Sequence, residues 1–322
     1  MITNTTASER ERERTLLLVR VARLYYLDGM DQDQVAREVG FSRPTVSRLL
    51  REARRRRIVQ IEVQHPQERA LQLERELVSR FKLKDARVAD PGPGEELMVE
   101  DMAASYVTEV TGPTSVVAVS NGSTISRVVD ALGNQHRPDM CAVQMIGSLG
   151  NESTLVDSPD ICRRFATAFG CSYRLMPAPL VVAHARLATA LRREDSVATA
   201  IALGGRADLA LLGVGAIDST STSGSIFDTW LTPAINQELR ASGAVGHICG
   251  HHFDEQGRHL VTELCRRVLS VPPDRLASIP KVVVVAYGPE KVGPLRGSLR
   301  GRYANVVITD AETAAAVLDS AT

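Results

Sequence analysis

The stretch Gln32–Arg57, QDQVAREVGFSRPTVSRLLREARRRR, constrains the fold more than any other part of the chain. Read as two helices joined at Gly40, it fits a helix-turn-helix. Gln32–Val39 forms the first helix, and Ala36 is small enough for the second helix to approach closely. Gly40 supplies a turn residue that tolerates positive φ. Ser42 is a good N-cap, and Pro44 falls in the first turn of the second helix, where a missing N–H costs nothing. Val46, Leu49, Leu50 and Ala53 then recur at i, i+3, i+4 and i+7 and form one apolar stripe.

The other face of this second helix carries Arg43, Thr45, Ser47, Arg48, Arg51 and Arg54. A basic, hydroxyl-bearing face opening at a helix N-terminus suits the DNA major groove. Arginine forks to guanine, and serine or threonine reaches bases or phosphates. Position along the helix assigns Arg43, Thr45, Ser47 and Arg48 to the groove. It assigns Arg51 and the run 54–57 to phosphates. The plainer alternative is a solvated amphipathic helix in an ordinary bundle. The agreement of turn glycine, small residue, N-cap and stripe argues against it.

Charge placement points the same way. The whole chain is neutral, with 38 basic and 38 acidic residues in 322. Residues 1–65 hold 13 Arg, no Lys and 9 acidic residues, a balance of +4, so the remainder carries −4. A locally basic module on a neutral chain implies a polyanion partner for that module. The length predicts two domains. No run of about 18 apolar residues occurs, which predicts no membrane span. The polar start MITNTTASERERERTLLL argues against a signal peptide. Cys141, Cys162, Cys171, Cys249 and Cys265 are scattered and never in Cys-x-x-Cys spacing. Reduced thiols in a cytoplasmic protein are the expectation.

Before the helix-turn-helix, Thr15–Gly29 reads as a supporting helix with Leu18, Ala22 and Tyr25 or Tyr26 inward. After it, IVQIEVQH alternates as a short strand. Ala70, Leu73, Leu77 and Phe81 then form one stripe on a linker helix of coiled-coil character, which offers one dimer seam. From about Lys84 strands and helices alternate. SVVAVS, CAVQMI, LALLGV, KVVVVAY and VVIT are near-continuous apolar strands, each followed by a glycine-containing or polar loop and a helix. Such a pattern predicts an α/β fold with a doubly wound, mostly parallel sheet covered on both faces. The organisation expected is a helix-turn-helix domain at 1–65, a linker helix at 66–83, and an effector-binding and oligomerisation domain at 84–322.

In such a sheet, ligands sit beyond the C-terminal strand ends. Four loops there are rich in glycine and small polar residues: Asn121–Thr124, Gly147–Gly150, Gly213–Asp218 and Gly288–Lys291. The first opens a helix, so backbone N–H groups with Ser123 and Thr124 make an anion site. Lys291 adds a full positive charge where another helix begins. Singly, each loop is an ordinary capped turn; their convergence favours a pocket. The segment GHICGHHFD offers His247, Cys249, His251, His252 and Asp254, but its spacing fits no standard zinc pattern. A packed histidine pair, with no metal and no cofactor, is the expectation. Trp230 reads as core or as a lid anchor.

Taken together, these segments resemble the SorC family of bacterial transcriptional regulators. YYLDGMDQDQVAREVGFSRPTVSRLLREARRRRIVQIEV is similar to that family's helix-turn-helix. SNGST, GVGAID, GAVGHICGHHFD, GPEK and TDAETA follow in the family's order. The resemblance spans about Leu16 to Leu318. It implies an effector domain similar to sugar-phosphate isomerases and deaminases, with a phosphorylated sugar or related metabolite as ligand. By match to the family's phosphate loops, Gly122, Ser123, Thr124 and Lys291 are implied as phosphate contacts. Asp218 and the 246–254 loop, with His247 and Asp254, are implied to face the sugar part, and Gly147 joins the effector site through its own glycine loop. His247 stands where the family usually has an acidic residue, and histidine donates as well as accepts. The partners implied are double-stranded operator DNA, a small phosphorylated sugar-like effector and further copies of the chain, as a homodimer or tetramer, with no membrane. The other reading is an isomerase- or deaminase-like enzyme with an added DNA-binding domain, using Asp218, Asp254 or His247 as base.

Overall fold

The computed structural model describes residues 7–59, 66–91, 98–150, 154–217 and 230–319. The chain divides into two compact units, Met1–Gln64 and His65–Thr322.

The first unit holds three helices: α1 (Ala7–Tyr26), α2 (Gln32–Val39) and α3 (Arg43–Arg55). Its core is Leu18, Val21 and Ala22 of α1, Val35 and Ala36 of α2, and Val46, Leu49, Leu50 and Ala53 of α3. Every member of the expected α3 stripe is buried. Asp31 starts α2 with a capping box: its carboxylate accepts from Asp33 N at 2.9 Å and Gln34 N at 2.8 Å, and Gln34 returns the bond to Asp31 N. Gly40 ends α2 at φ 75, a left-handed cap that favours glycine. Ser42 occupies the N-cap of α3, but its hydroxyl meets the Thr45 hydroxyl at 2.9 Å instead of a backbone N–H. Of the strand expected after α3, residues 60–65 lie outside the described residues.

In the second unit the strands are β1 (Asp85–Ala89), β2 (Val116–Val119), β3 (Cys141–Gln144), β4 (Ser172–Arg174), β5 (Leu209–Leu212), β6 (Gly215–Ala216), β7 (Ala244–Ile248), β8 (His251–Asp254), β9 (Lys281–Val285) and β10 (Val306–Asp310). The helices are α4 (Pro66–Phe81), α5 (Val99–Val110), α6 (Ser123–Asp130), α7 (Ser158–Phe169), α8 (Ala185–Leu191), α9 (Asp195–Gly204), α10 (Pro233–Ala241), α11 (Glu263–Arg266), α12 (Pro273–Leu276), α13 (Val292–Arg300) and α14 (Ala311–Asp319). Seven strands form a parallel sheet in the order β1-β10-β9-β5-β2-β3-β4.

Side-chain alternation divides the core between the two sheet faces. Ala118, Ala210, Leu212, Val282, Val284 and Val307 pack with Leu77 of α4, Leu295 of α13 and Val317 of α14. Val117, Val119, Leu209, Leu211, Val283, Val285 and Ile308 pack with Val107 of α5, Ile125 of α6 and Phe165 of α7. Both faces of the strands are covered, which explains their unbroken apolar runs.

One expectation needs correction. The α4 stripe is no free seam. Ala70 and Leu77 are buried in the core of their own unit, and Leu73 and Phe81 pack against it. They cover the apolar face of edge strand β1, where Ala86 and Val88 lie in the same core. The segment 246–254 folds back on itself as β7 and β8. Ile248 pairs with His251, and the two residues between them, Cys249 (φ 47) and Gly250 (φ 82), turn a tight antiparallel hairpin. With β6 this makes a second, three-stranded sheet.

Candidate functional site

The order of strands in the sheet reverses between β2 and β5: the chain winds outward through β3 and β4, then returns to β5 and winds the other way through β9 and β10. Ligand crevices form at such reversals, beyond the C-terminal strand ends. Three adjacent strands, β9, β5 and β2, there deliver the loops Gly288–Lys291, Gly213–Gly215 and Gly122–Thr124. Neighbouring strands lie about 5 Å apart, so the outer two loops start roughly 10 Å apart, within the joint reach of a lysine and a phosphate.

The two outer loops share one backbone device. Gly122 precedes α6 at φ 109 and ψ 159, and Gly288 precedes the short 3-10 turn Pro289–Lys291 at φ 100 and ψ 155. Only glycine adopts this conformation without strain. It turns the chain from strand end into helix start. No side chain caps α6, and a β-carbon on Gly122 would meet nothing within 4 Å. The amide nitrogen of neighbouring Asn121 is buried and has no hydrogen-bond partner among the described residues. Gly288 is pinned from behind. Its N–H donates to the Thr313 hydroxyl at 2.8 Å, and Asp310 accepts from Thr313 N at 2.6 Å and from its hydroxyl at 3.1 Å.

A polar network sets the two loops relative to each other. Arg127 of α6 donates to Glu100 of α5 and to the Tyr287 hydroxyl, each at 2.6 Å, and Tyr287 donates to Glu100. Burial alone would raise the Glu100 carboxyl, but hydrogen bonds from Tyr287 and Arg127 outweigh it and hold it below its usual value. Tyr287 immediately precedes Gly288, so α6 and the Lys291 loop are tied through one carboxylate. Sequence reasoning missed Glu100, Arg127, Tyr287, Asp310 and Thr313. The only signal was an aspartate followed three residues later by threonine at a helix start.

The middle loop meets both neighbours. A β-carbon at Gly213 would lie 3.9 Å from Ile125 of α6. One at Gly215 would fall inside the His247 ring, so glycine makes room for that imidazole. Across the hairpin, a β-carbon at Gly246 would lie 2.7 Å from Pro294 Cβ, which seats β7 on α13 just after Lys291. His247 is buried. Desolvation, then the fields of His252, Lys291 and His251, push its pKa well below 6.5, so the ring is neutral at pH 7. Lys291 is half-buried, and desolvation lowers its pKa too.

Other expected site residues have different surroundings. Gly147 is buried, and a β-carbon there would stand 2.5 Å from the Pro179 carbonyl carbon, so glycine serves close backbone packing. Asp254 is occupied by its own turn, accepting from Arg258 N at 2.8 Å, Gln256 N at 3.0 Å and Arg258 Nε at 2.6 Å. Asp218 lies outside the described residues. Trp230 is partly buried against the core, under the Arg267 guanidinium at 5.3 Å.

On α3, Arg48 and Arg51 are exposed, and Thr45 and Ser47 are half-buried. Arg43 is exposed and lies 3.4 Å from Asp33. Two late arginines are engaged within the unit. Arg54 donates to the Tyr26 hydroxyl at 2.8 Å, and Arg56 pairs with Glu52 at 2.7 Å and with Glu11.

Residues 65–319 match the family model described as "Putative sugar-binding domain". The chain is 32% identical to the transcriptional regulator LsrR of Klebsiella pneumoniae over 94% of its length and 92% of the relative's. The chain belongs to the SorC family of sugar-binding transcriptional regulators. It is also 30% identical to the deoxyribonucleoside regulator of Bacillus subtilis, over 96% of this chain and 99% of that one. Among solved structures, the full-length sorbitol operon regulator SorC of Klebsiella pneumoniae superposes with a TM-score of 0.75 at 27% identity, covering 94% of this chain and 98% of that one. Membership accounts for the pairing of a helix-turn-helix with a doubly wound sheet. No helix among the described residues is long and apolar enough to cross a membrane.

Proposed function

We propose that this SorC-family chain is a cytoplasmic regulator, not an enzyme, that binds operator DNA through α3 and senses a small phosphorylated sugar or related metabolite. The carrying observation is the row of three loops at β9, β5 and β2, with matched glycines at its two ends. In this reading the N–H groups and hydroxyls of Ser123 and Thr124, with Gly122 giving access, take the phosphate from one side. Lys291 takes it from the other. His247, neutral and beside Gly215, supports the sugar-facing wall, and Asp218 remains assigned to the sugar part. Names of the relatives, a deoxyribonucleoside regulator and a sorbitol operon regulator, support the ligand class.

Two groups considered as an enzymatic base are poorly suited to it. Asp254 is held by three hydrogen bonds of its own turn, and its carboxyl is kept below its usual value by Arg258 and Gln256 against the opposing effect of burial. His247 is buried against glycine. A single helix-turn-helix reads one half-site, so the regulator acts as a homodimer or tetramer on a two-fold operator. The test is a thermal-shift screen of sugar phosphates, followed by operator titrations with and without each hit. A hit that shifts operator affinity without being turned over supports the reading. Turnover of the hit at an enzymatic rate sinks it.

A further inference from the structure

Outside the effector loops, one cluster has the make-up of a metal site. His251 is the first residue of β8, His259 bridges back to Phe253, and Cys265 lies in α11. Their ligand atoms lie within 4.8 Å of one another. His251 Nδ1 and His259 Nε2 each stand 3.1 Å from Cys265 Sγ, short for contacts to so large an atom. The two rings meet at 5.2 Å and 75°, so their nitrogens converge on the sulfur from different directions.

We propose that His251, His259 and Cys265 bind one Zn²⁺-class ion through Nδ1, Nε2 and Sγ, with a fourth position open to water. The geometry fits. Zinc–nitrogen bonds of about 2.0–2.1 Å and zinc–sulfur bonds of about 2.3 Å put tetrahedral ligand atoms roughly 3.3–3.6 Å apart. The present 3.1 Å contacts need to open by only a few tenths of an ångström. Two imidazoles and a thiol, with no carboxylate, select a borderline transition ion over Mg²⁺ or Ca²⁺.

The surroundings are prepared for it. His251 Nε2 faces the Ser270 hydroxyl at 3.0 Å, a partner that leaves the Nδ1 lone pair for the ion. Cys265 is fixed in α11, whose N-cap Thr262 accepts from Cys265 N at 3.2 Å. Burial pushes the free Cys265 thiol up to about 11, which Arg192 and Arg266 offset only in part, so it is the ion itself that must draw off the proton. His259 is exposed, whereas His251 and Cys265 are buried, so the ion enters from the His259 side. On binding, Cys265 gives its thiol proton to solvent, and the bound ion carries a net local charge of +1. The ion would clamp β8 to α11 behind the hairpin that holds His247.

The experiment is a Co²⁺ titration of the reduced, metal-free full chain. Wild type is expected to take up one equivalent, with a sulfur-to-cobalt charge-transfer band and intense tetrahedral d–d bands, both removed by Zn²⁺. Cys265→Ser should lose the charge-transfer band. His259→Gln, at an exposed position that does not threaten folding, should weaken binding at least about tenfold. Ser270→Ala should weaken it about 10- to 100-fold, as for other outer-shell partners. No charge-transfer band in wild type, or one that survives both Cys265→Ser and His259→Gln, overturns the proposal. If Cys265→Ser fails to fold, His259→Gln alone decides. Neither result bears on the sugar-phosphate reading, because the cluster shares no residue with it.

Discussion

The Thr313 hydroxyl holds the Gly288 N–H at 2.8 Å, joining the loop after β9 to the start of α14. Thr313 is itself fixed twice by Asp310. A fully buried N–H deprived of its acceptor costs about 1–3 kcal/mol, and the half-buried Gly288 N–H sets the expected loss at the low end, about 1 kcal/mol. Thr313→Val keeps the shape and removes the acceptor. It is therefore expected to destabilise the effector unit by that amount in denaturant melts and to weaken effector binding, while Thr313→Ser retains most of both. A Val variant as stable and as responsive as wild type would show that this bond positions nothing.

On α3, position and engagement now separate the arginines. Arg48→Ala is expected to relax sequence preference at one base pair of each half-site, by about 1–3 kcal/mol of discrimination. Arg51→Ala should weaken all sequences alike and lower the salt slope by about one. Arg56 is shared between Glu52 and Glu11, so Arg56→Ala should change affinity less than Arg51→Ala. The check is operator and scrambled-DNA titration at several salt concentrations. Equal losses from all three changes, on all sequences, would contradict the division.

Leu77 is fully buried between α4 and its own sheet. Leu77→Ala should therefore cost about 2–5 kcal/mol of folding stability. It should not convert a stable oligomer into stable monomers, as a seam residue would. Light scattering beside thermal melts separates the two outcomes.

The difference between that helix and the rest shows what the sequence carried. Apolar period and caps located α2, α3 and the sheet strands, because burial on one face or both leaves a direct pattern in the chain. The α4 stripe was equally visible, but a stripe does not say what covers it; only the fold placed Val88 and Val317 in the same core. Gly122 and Gly288 were legible as loop glycines, yet their matched φ of 109 and 100 was not. The Glu100–Arg127–Tyr287 network joins residues up to 187 apart in sequence, and no local spacing reports such a contact. The hairpin turn was hidden because Cys249 takes a positive φ that residue preference assigns to glycine or asparagine.

His247 offers a pH test. Its pKa is depressed by burial first, then by His252, Lys291 and His251. A depressed histidine pKa means the unfolded chain binds more protons below about 6.5. Stability from this residue is thus present above that pH and is lost as pH falls below it. His247→Gln should flatten the acid side of the stability curve, measured by denaturant unfolding from pH 7 downward with chelator present. An unchanged slope would place the imidazole in a solvated setting that its contact with Gly215 does not allow.

The last test concerns the effector response. Lys291 stands at the start of α13, across β5 from Ser123 and Thr124, and burial already lowers its pKa. A bound phosphate would restore the partner that burial removes, so the ligated state should hold Lys291 charged more firmly than the free state. An effector alters operator affinity only through its different affinity for the two DNA-binding states. A coupling of about 1–3 kcal/mol corresponds to a 5- to 150-fold change. Lys291→Ala is expected to weaken effector binding strongly and to leave operator binding without effector nearly intact, because the helix-turn-helix is a separate compact unit. Operator titrations of wild type and variant, with and without a sugar-phosphate hit, measure both quantities at once. If Lys291→Ala keeps the full response, the phosphate does not sit between β2 and β9, and an unphosphorylated ligand becomes the better reading of the site.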